Sequence, residues 1–358
     1  MLTAKVKFWV NIITFLALAL LIAVSWSTIV EAFGKLSDLS LGLLLLQFPV
    51  QLLSYNAVAM MYYSYFKNTG HLGKLQIKDM YKISLELNFI NSVFPSGGVS
   101  GFSYLSLRLR PYGVSVATST LAQMIRFLLT FVSFLIVLGI GLVFLAAGNQ
   151  ANGLVILIGS SVFFMIVSGV LLAGFIISDE QRIKSFVAFL PKLINFVGRR
   201  LHSAKADLID LKRVERGLEE LHQRYVELRK DVGKLKAPFV YALATNVLEL
   251  STIYLVYVAF GEPVNPGAVI LAYAVANFAG LVAILPGGVG VYEGLMASVL
   301  TASGVERGLA ISATLVYRVI NLLIFVPIGF VLYQAALNKR QISAPFQSGA
   351  RAQSKGDS

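Results

Sequence analysis

The chain contains no cysteine and only three histidines, His71, His202 and His222, all in polar connecting segments. Disulfides, thiolate metal sites and a thiol nucleophile are thereby excluded, and no histidine lies in an apolar stretch where it would hold a buried metal. Charge is scarce too: 13% of the 358 residues are Asp, Glu, Lys or Arg, against about 25% in an ordinary soluble domain. No glycine-rich stretch ends in the Gly-Lys-Ser/Thr of a nucleotide-binding loop. No metal and no cofactor is expected. What is abundant is apolar sequence, 57% of residues with a mean hydropathy of +0.76, which places the chain in a membrane.

Crossing a bilayer as a helix takes about 20 apolar residues. Six stretches qualify: 8–30, 39–66, 116–147, 153–177, 238–260 and 308–336. The first follows Lys5 and Lys7 but has a long apolar core and no small-residue cleavage site, so it reads as a retained anchor rather than a signal peptide. Two more apolar pieces, 83–110 and 268–303, are each broken by Gly-Gly. Their arms, 83–94, 102–110, 268–284 and 292–303, are short: twelve helical residues rise only about 18 Å, against a hydrocarbon core of about 30 Å. They read as re-entrant hairpins, tolerated where protein or a water-filled cavity surrounds the tip.

The two breaks belong to one repeated pattern. Asn88-Phe89 leads to Pro95, Gly97-Gly98-Val99, Gly113-Val114 and Arg126; Asn277-Phe278 leads to Pro286, Gly287-Gly288-Val289, Gly304-Val305 and Arg318. Interrupted apolar segments in corresponding positions of two halves point to a transport site. Lys67, Lys74, Lys78 and Lys82 follow the second span, and 178–237 carries fourteen Lys/Arg against nine Asp/Glu. Both segments are therefore expected in the cytoplasm, and the connections near 31–38, 148–152 and 261–267 outside. Lys339, Arg340, Arg351 and Lys355 also belong inside, which requires an even number of crossings. The fold class expected is an all-α polytopic membrane protein of about six transmembrane helices plus two re-entrant hairpins, arranged as an inverted repeat with both termini cytoplasmic in a cell (inner) membrane.

Four segments follow. Residues 1–177 hold the first repeat, with hairpin 83–110, and the start of the second at span 153–177. Residues 178–237 form an amphipathic cytoplasmic connection. Residues 238–338 complete the second repeat with hairpin 268–303, and 339–358 make a polar, disordered tail. From Leu211 the connection places Val214, Leu218, Leu221, Tyr225, Leu228, Val232 and Leu235 at steps of three and four. Such a stripe packs on its own protein, forms a homodimer contact or lies on anionic lipid. The net charge of +12 is concentrated in these segments and calls for no nucleic acid.

Ionisable groups inside spans are costly and mark function by default. Arg126 and Arg318 sit at matching depths and offer planar forks for a phosphate. Glu249, in the fifth span, and Glu293, after the second break, are candidate counter-ions of Arg318 or proton-coupling groups. Asn88, Asn91, Asn246, Asn277 and Asn321 suit interhelical hydrogen bonding. Gly97, Gly98, Gly287 and Gly288 permit unusual backbone angles, and the amides from Val289 to Glu293 offer a helix start to an anion.

Leu285-Pro-Gly-Gly-Val-Gly-Val-Tyr-Glu-Gly294, followed by Gly304-Val305 and Arg318, resembles the signature of the lysylphosphatidylglycerol synthase transmembrane-region family, also described as flippase-like. Pro95 to Gly98 and Gly113 to Arg126 resemble its weaker first copy, and the resemblance runs from about residue 5 to 338. In the multiple-peptide-resistance factors this module implies movement of an aminoacylated phosphatidylglycerol between leaflets, while synthesis belongs to a separate domain. With only a short tail after the last span, this chain is expected to be a transporter of membrane lipids rather than an enzyme. Tyr292 stands where the family commonly has a basic residue and is a candidate head-group contact. The expected function is a flippase or scramblase for a phospholipid or polyprenyl-phosphate-linked head group. The alternatives are an integral-membrane transferase acting on a lipid-linked substrate and a non-catalytic membrane partner protein.

Overall fold

A computed structural model describes residues 39–93, 99–179, 225–282 and 289–338, with isolated positions between 16 and 34, at 181, 182 and 185, and at 222 and 223. Among the described residues there is no strand. The helices are α1 (Leu41–Leu45), α2 (Gln47–Asn68), α3 (Ile77–Val93), α4 (Val99–Leu109), α5 (Val116–Ala147), α6 (Gly153–Ile177), α7 (Lys236–Ala259), α8 (Pro266–Val282), α9 (Val291–Ala302) and α10 (Arg307–Asn338). Five are long and apolar enough to span a bilayer, α1 and α2 together counting as one, and α8 and α9 are shorter and apolar. The protein is an all-α multi-pass membrane protein. In the expected span 8–30, the described positions Leu16, Ala19, Ala23, Trp26, Ser27 and Val30 are helical and exposed; the rest lies outside the described residues.

The other five expected spans match the helices to within about two residues, because a long apolar run fixes a membrane helix without tertiary help. Hairpin boundaries differ more. The helix α3 starts at Ile77, six residues before the apolar arm expected from 83, since its first turns carry Lys78, Asp79 and Lys82. Its 17 residues rise about 25 Å.

Hydrogen bonds fix which ends meet. Asn68 Nδ2 donates to Lys234 O at 2.9 Å and Ser40 N to Ala259 O at 3.0 Å, so α2 and α7 run antiparallel. At the second end, with Ser40, Asn265 Nδ2 donates to Phe144 O at 2.9 Å and Asn152 Nδ2 to Ala302 O at 3.0 Å. Hence hairpin α8–α9 enters and leaves at that end. At the first end Gly73 lies against Tyr112, so α3–α4 enters and leaves there. The packing partners correspond: α3 and α4 pack on α10 and α5 respectively, α8 and α9 on α5 and α10, and α2 lies along α7.

Backbones come close where each hairpin crosses the long helix of the other half. A Cβ on Gly329, just past Pro327 in α10, would sit 2.5 Å from Phe89 Cβ and 3.1 Å from Leu85 O in α3. On the other side a Cβ on Gly267 of α8 would run into the Gly141 carbonyl of α5. Small residues at such crossings let membrane helices gain dispersion contact where no hydrophobic drive is available.

Two apolar cores result. One gathers Leu138, Leu145, Val256, Leu271, Met296 and Val316; the other gathers Tyr62, Phe66, Phe89, Leu105, Leu121 and Leu337. The helix α10 contributes its first half to one and its last turns to the other. By contrast, α6 packs mainly on α5 and leaves Leu157, Phe164 and Leu171 exposed, as a lipid-facing helix does. Of the apolar stripe expected along 211–235, the described Leu228 is buried in the second core, with Tyr65 and Leu121; Leu211, Val214, Leu218 and Leu221 lie outside the described residues. So do 339–358.

Candidate functional site

Four helices carry polar side chains three or four residues apart, a spacing that sets them on one face: Gln47, Gln51 and Tyr55 on α2, Asn88, Asn91 and Ser92 on α3, Tyr273 and Asn277 on α8, Tyr317 and Asn321 on α10. Most of these faces converge. With Glu249 of α7, Tyr292 of α9 and Arg318 of α10 they line a cavity of about 340 Å³ in the middle of the bundle, between the two apolar cores. Apart from Leu322 and Phe325, every residue that lines it carries a polar group.

The described end of the second glycine-rich motif is a helix start. Gly290 caps α9 with φ +87°, in the left-handed region that favours glycine, and Glu293, three residues on, accepts from Gly290 N at 2.6 Å through Oε2. Its other oxygen takes Arg318 Nε at 2.8 Å, and the guanidinium carbon lies 4.3 Å from the Tyr292 ring centroid. One carboxylate therefore caps the returning arm and ties it to α10. Charge-assisted contacts of this length are the strong kind, and an aromatic face adds to them when desolvated. The anion site expected at the amides of 289–293 is occupied at Gly290 by the protein's own carboxylate.

Of the two candidate counter-ions for Arg318, the structure pairs Glu293. Glu249 Oε1 instead accepts from Gln51 Nε2 at 3.0 Å and Ser54 Oγ at 2.8 Å, and no cation pairs with it among the described residues. Arg126 is not brought to the cavity. It donates to Tyr62 OH at 3.4 Å, lies 5.6 Å from the Phe127 ring, and Tyr62 in turn bonds Gln123. Counting from the Gly-Gly pairs, Phe102-Ser103 in the first copy matches Tyr292-Glu293 in the second, so the carboxylate that seats Arg318 has no counterpart beside Arg126. Gly97, Gly98, Gly287 and Gly288 lie outside the described residues.

The expected asparagine roles divide. Asn246 joins α7 to α5 through Ser133 Oγ at 2.8 Å and Thr130 O at 3.0 Å. Asn277 bonds its own helix at Tyr273 O, 3.0 Å away, and Asn321 reaches Gln51 Oε1 and Tyr317 OH at 3.5 Å. Asn88 and Asn91 line the cavity.

Sequence reasoning missed a buried ion pair in the first hairpin. Glu86 of α3 takes Arg108 of α4 with both oxygens, at 2.6 Å from Nε and 3.1 Å from Nη2, and Tyr104 OH at 2.7 Å. The two side chains are 2% and 5% exposed. The signal was available: Glu86 is an acidic residue inside an apolar arm, which is expensive unless paired. It also missed Gln51, Tyr55, Tyr273 and Tyr317 of the cavity, for which the four-residue spacing of polar groups was the available sign.

Comparison with known proteins agrees with the bundle. The family model described as the lysylphosphatidylglycerol synthase TM region matches residues 8–329. The chain belongs to that family. Similar relatives include two UPF0104 membrane proteins of Methanothermobacter thermautotrophicus, one 29% identical over 214 residues (52% of this chain, 64% of the relative) and one 23% identical over 242 (65% and 68%). A UPF0104 membrane protein of Pyrococcus horikoshii is 21% identical over 183 residues, 51% of this chain and 54% of the relative. The 29% and 21% matches thus span less than two thirds of those relatives' length. No solved structure matches the chain. In this lysylphosphatidylglycerol synthase TM-region protein, Tyr292 and Arg318 line the cavity, and Glu293 fixes Arg318 there.

Proposed function

We propose that the protein is a lipid translocase that passes a phospholipid or polyprenyl-phosphate-linked head group between leaflets through the central cavity, as a flippase or scramblase and not as an enzyme. The supporting observation is that the inner parts of both hairpins meet at one polar cavity inside an apolar bundle. A polar path at that depth spares a head group much of the cost of crossing hydrocarbon. Arg318, seated by Glu293 on the cavity wall, contacts the lipid phosphate, and Arg126, beside Tyr62, guides it on the other hairpin's side. The halves form an inverted repeat, in keeping with the reciprocal packing of each hairpin on the other half's long helix, and alternate exposure of the cavity needs no nucleotide. Vesicles carrying the purified protein and fluorescent lipids are expected to exchange label between leaflets at least about tenfold faster than protein-free vesicles, one decade being about 1.4 kcal/mol of barrier. Exchange no faster than in protein-free vesicles, for every head group tried, would remove the reading.

The membrane is the cell (inner) membrane, with both termini in the cytoplasm. In this cysteine-free chain, Glu262→Cys and Lys74→Cys place exposed thiols at opposite ends of the bundle. Glu262→Cys is expected to react with an impermeant maleimide in intact cells, and Lys74→Cys only after lysis. The reverse pattern would invert the orientation.

A further inference from the structure

We infer that the cavity selects a head group bearing neighbouring hydroxyls, a polyol or a sugar; this rests on the translocase reading above for its biological sense, though not for its test. The argument is an account of hydrogen bonds. Gln51 is committed at both ends, to Glu249 and Asn321, and Arg318 Nε is held by Glu293. Among the groups on the wall that make no well-formed hydrogen bond to a described residue are four: Asn91 Oδ1, which is buried; the Asn88 amide; the second oxygen of Glu249; and the hydroxyl of Tyr55, a residue only 3% exposed that lies near Gln51.

These four differ in kind. Asn91 Oδ1 only accepts, the Asn88 NH2 only donates, the Tyr55 hydroxyl does either, and the Glu249 oxygen accepts when the carboxyl is ionised and donates when it holds a proton. A phosphate only accepts, so it would leave Asn91 unmet, and an ionised Glu249 as well; it is left to Arg318, as proposed above, and these four groups face the part of the head group beyond it. An ammonium only donates, so it would leave the Asn88 NH2 unmet. A hydroxyl both donates and accepts, so two or three on adjacent carbons can serve the whole set in either protonation state of Glu249. A site of this type discriminates strongly, because a ligand without the hydroxyl strands groups already removed from water. The phenol rings of Tyr273 and Tyr317 supply rigid apolar surface beside these polar tips.

The test uses the full chain in an amine-oxide detergent, which brings no hydroxyls of its own. Two short-chain lipids of equal charge serve as probes, dioctanoyl phosphatidylinositol and dioctanoyl phosphatidylmethanol, with binding followed by thermal stabilisation across a concentration series. Phosphatidylinositol is expected to bind at least about tenfold tighter. Tyr55→Phe removes one hydroxyl from the wall. It should weaken phosphatidylinositol about 3- to 10-fold and leave phosphatidylmethanol unchanged, while the unliganded variant is no less stable than wild type. Equal affinity for the two lipids, as a merely water-filled cavity would give, overturns the inference, as does a Tyr55→Phe variant that still discriminates fully. Selective binding with no leaflet exchange in vesicles would refute the translocase reading and leave this one standing; exchange that ignores head-group hydroxyls would do the opposite.

Discussion

Arg108→Ala is expected to destabilise the protein by about 3–5 kcal/mol, the usual result of removing one partner from a buried ion pair. The remaining Glu86 carboxylate would stand 2% exposed inside an apolar arm with only the Tyr104 hydroxyl for company. The loss should reach the cavity as well, because Asn88 and Asn91 follow Glu86 on α3 and the pair holds α3 and α4 together. Denaturant titration in detergent of wild type, Arg108→Ala, Glu86→Ala and the double variant gives the measurement. The double should recover much of the loss, since no uncompensated charge remains in it. If Arg108→Ala unfolds within about 1 kcal/mol of wild type, a charged residue in this setting has found another partner, and the pair is not what closes the first hairpin.

The second large effect concerns Glu293 and Arg318. Each single change, Glu293→Gln or Arg318→Gln, is expected to destabilise more than the double, with a coupling of at least about 1 kcal/mol for groups in contact. Glu293→Gln also weakens the cap at Gly290, so it should cost more than the coupling alone, by about 0.5–2 kcal/mol. Arg318→Lys keeps the charge but not the planar fork that grips Glu293 and stacks on Tyr292. That variant is expected to fold and to exchange lipid several-fold more slowly, one pairing of about 1 kcal/mol being worth about fivefold in rate. Thermal unfolding of the four proteins settles the pairing, since strict additivity would separate the two residues. Leaflet exchange in the stable double variant settles use: full activity there would make the pair structural and take phosphate binding away from Arg318.

Much of the fold was legible because membrane helices are specified locally. A run of apolar residues from Val116 to Ala147 can only be a helix in lipid, where every backbone group must find its partner within the segment. The family was legible for a related reason: Gly290-Val-Tyr-Glu293 are contiguous residues doing one local job, the start of α9. The start of α3 was less so, because its polar first turns carry no hydropathy signal.

The candidate site divides along the same line. By itself the sequence determined the class of protein, the long helices, the two breaks, and a short set of intramembrane charges from which Arg318 and Glu293 could be named as partners. Tertiary structure alone decided that Glu293 rather than Glu249 takes Arg318, that Arg126 sits with Tyr62 away from the cavity, that Glu86 meets Arg108, and that Tyr55 and Asn91 face one cavity. Hydropathy reports each helix's relation to lipid, whereas these choices depend on how helices far apart in the chain are rotated against one another. Those rotations are set by close approaches such as Gly329 on Phe89, which no single segment's composition contains.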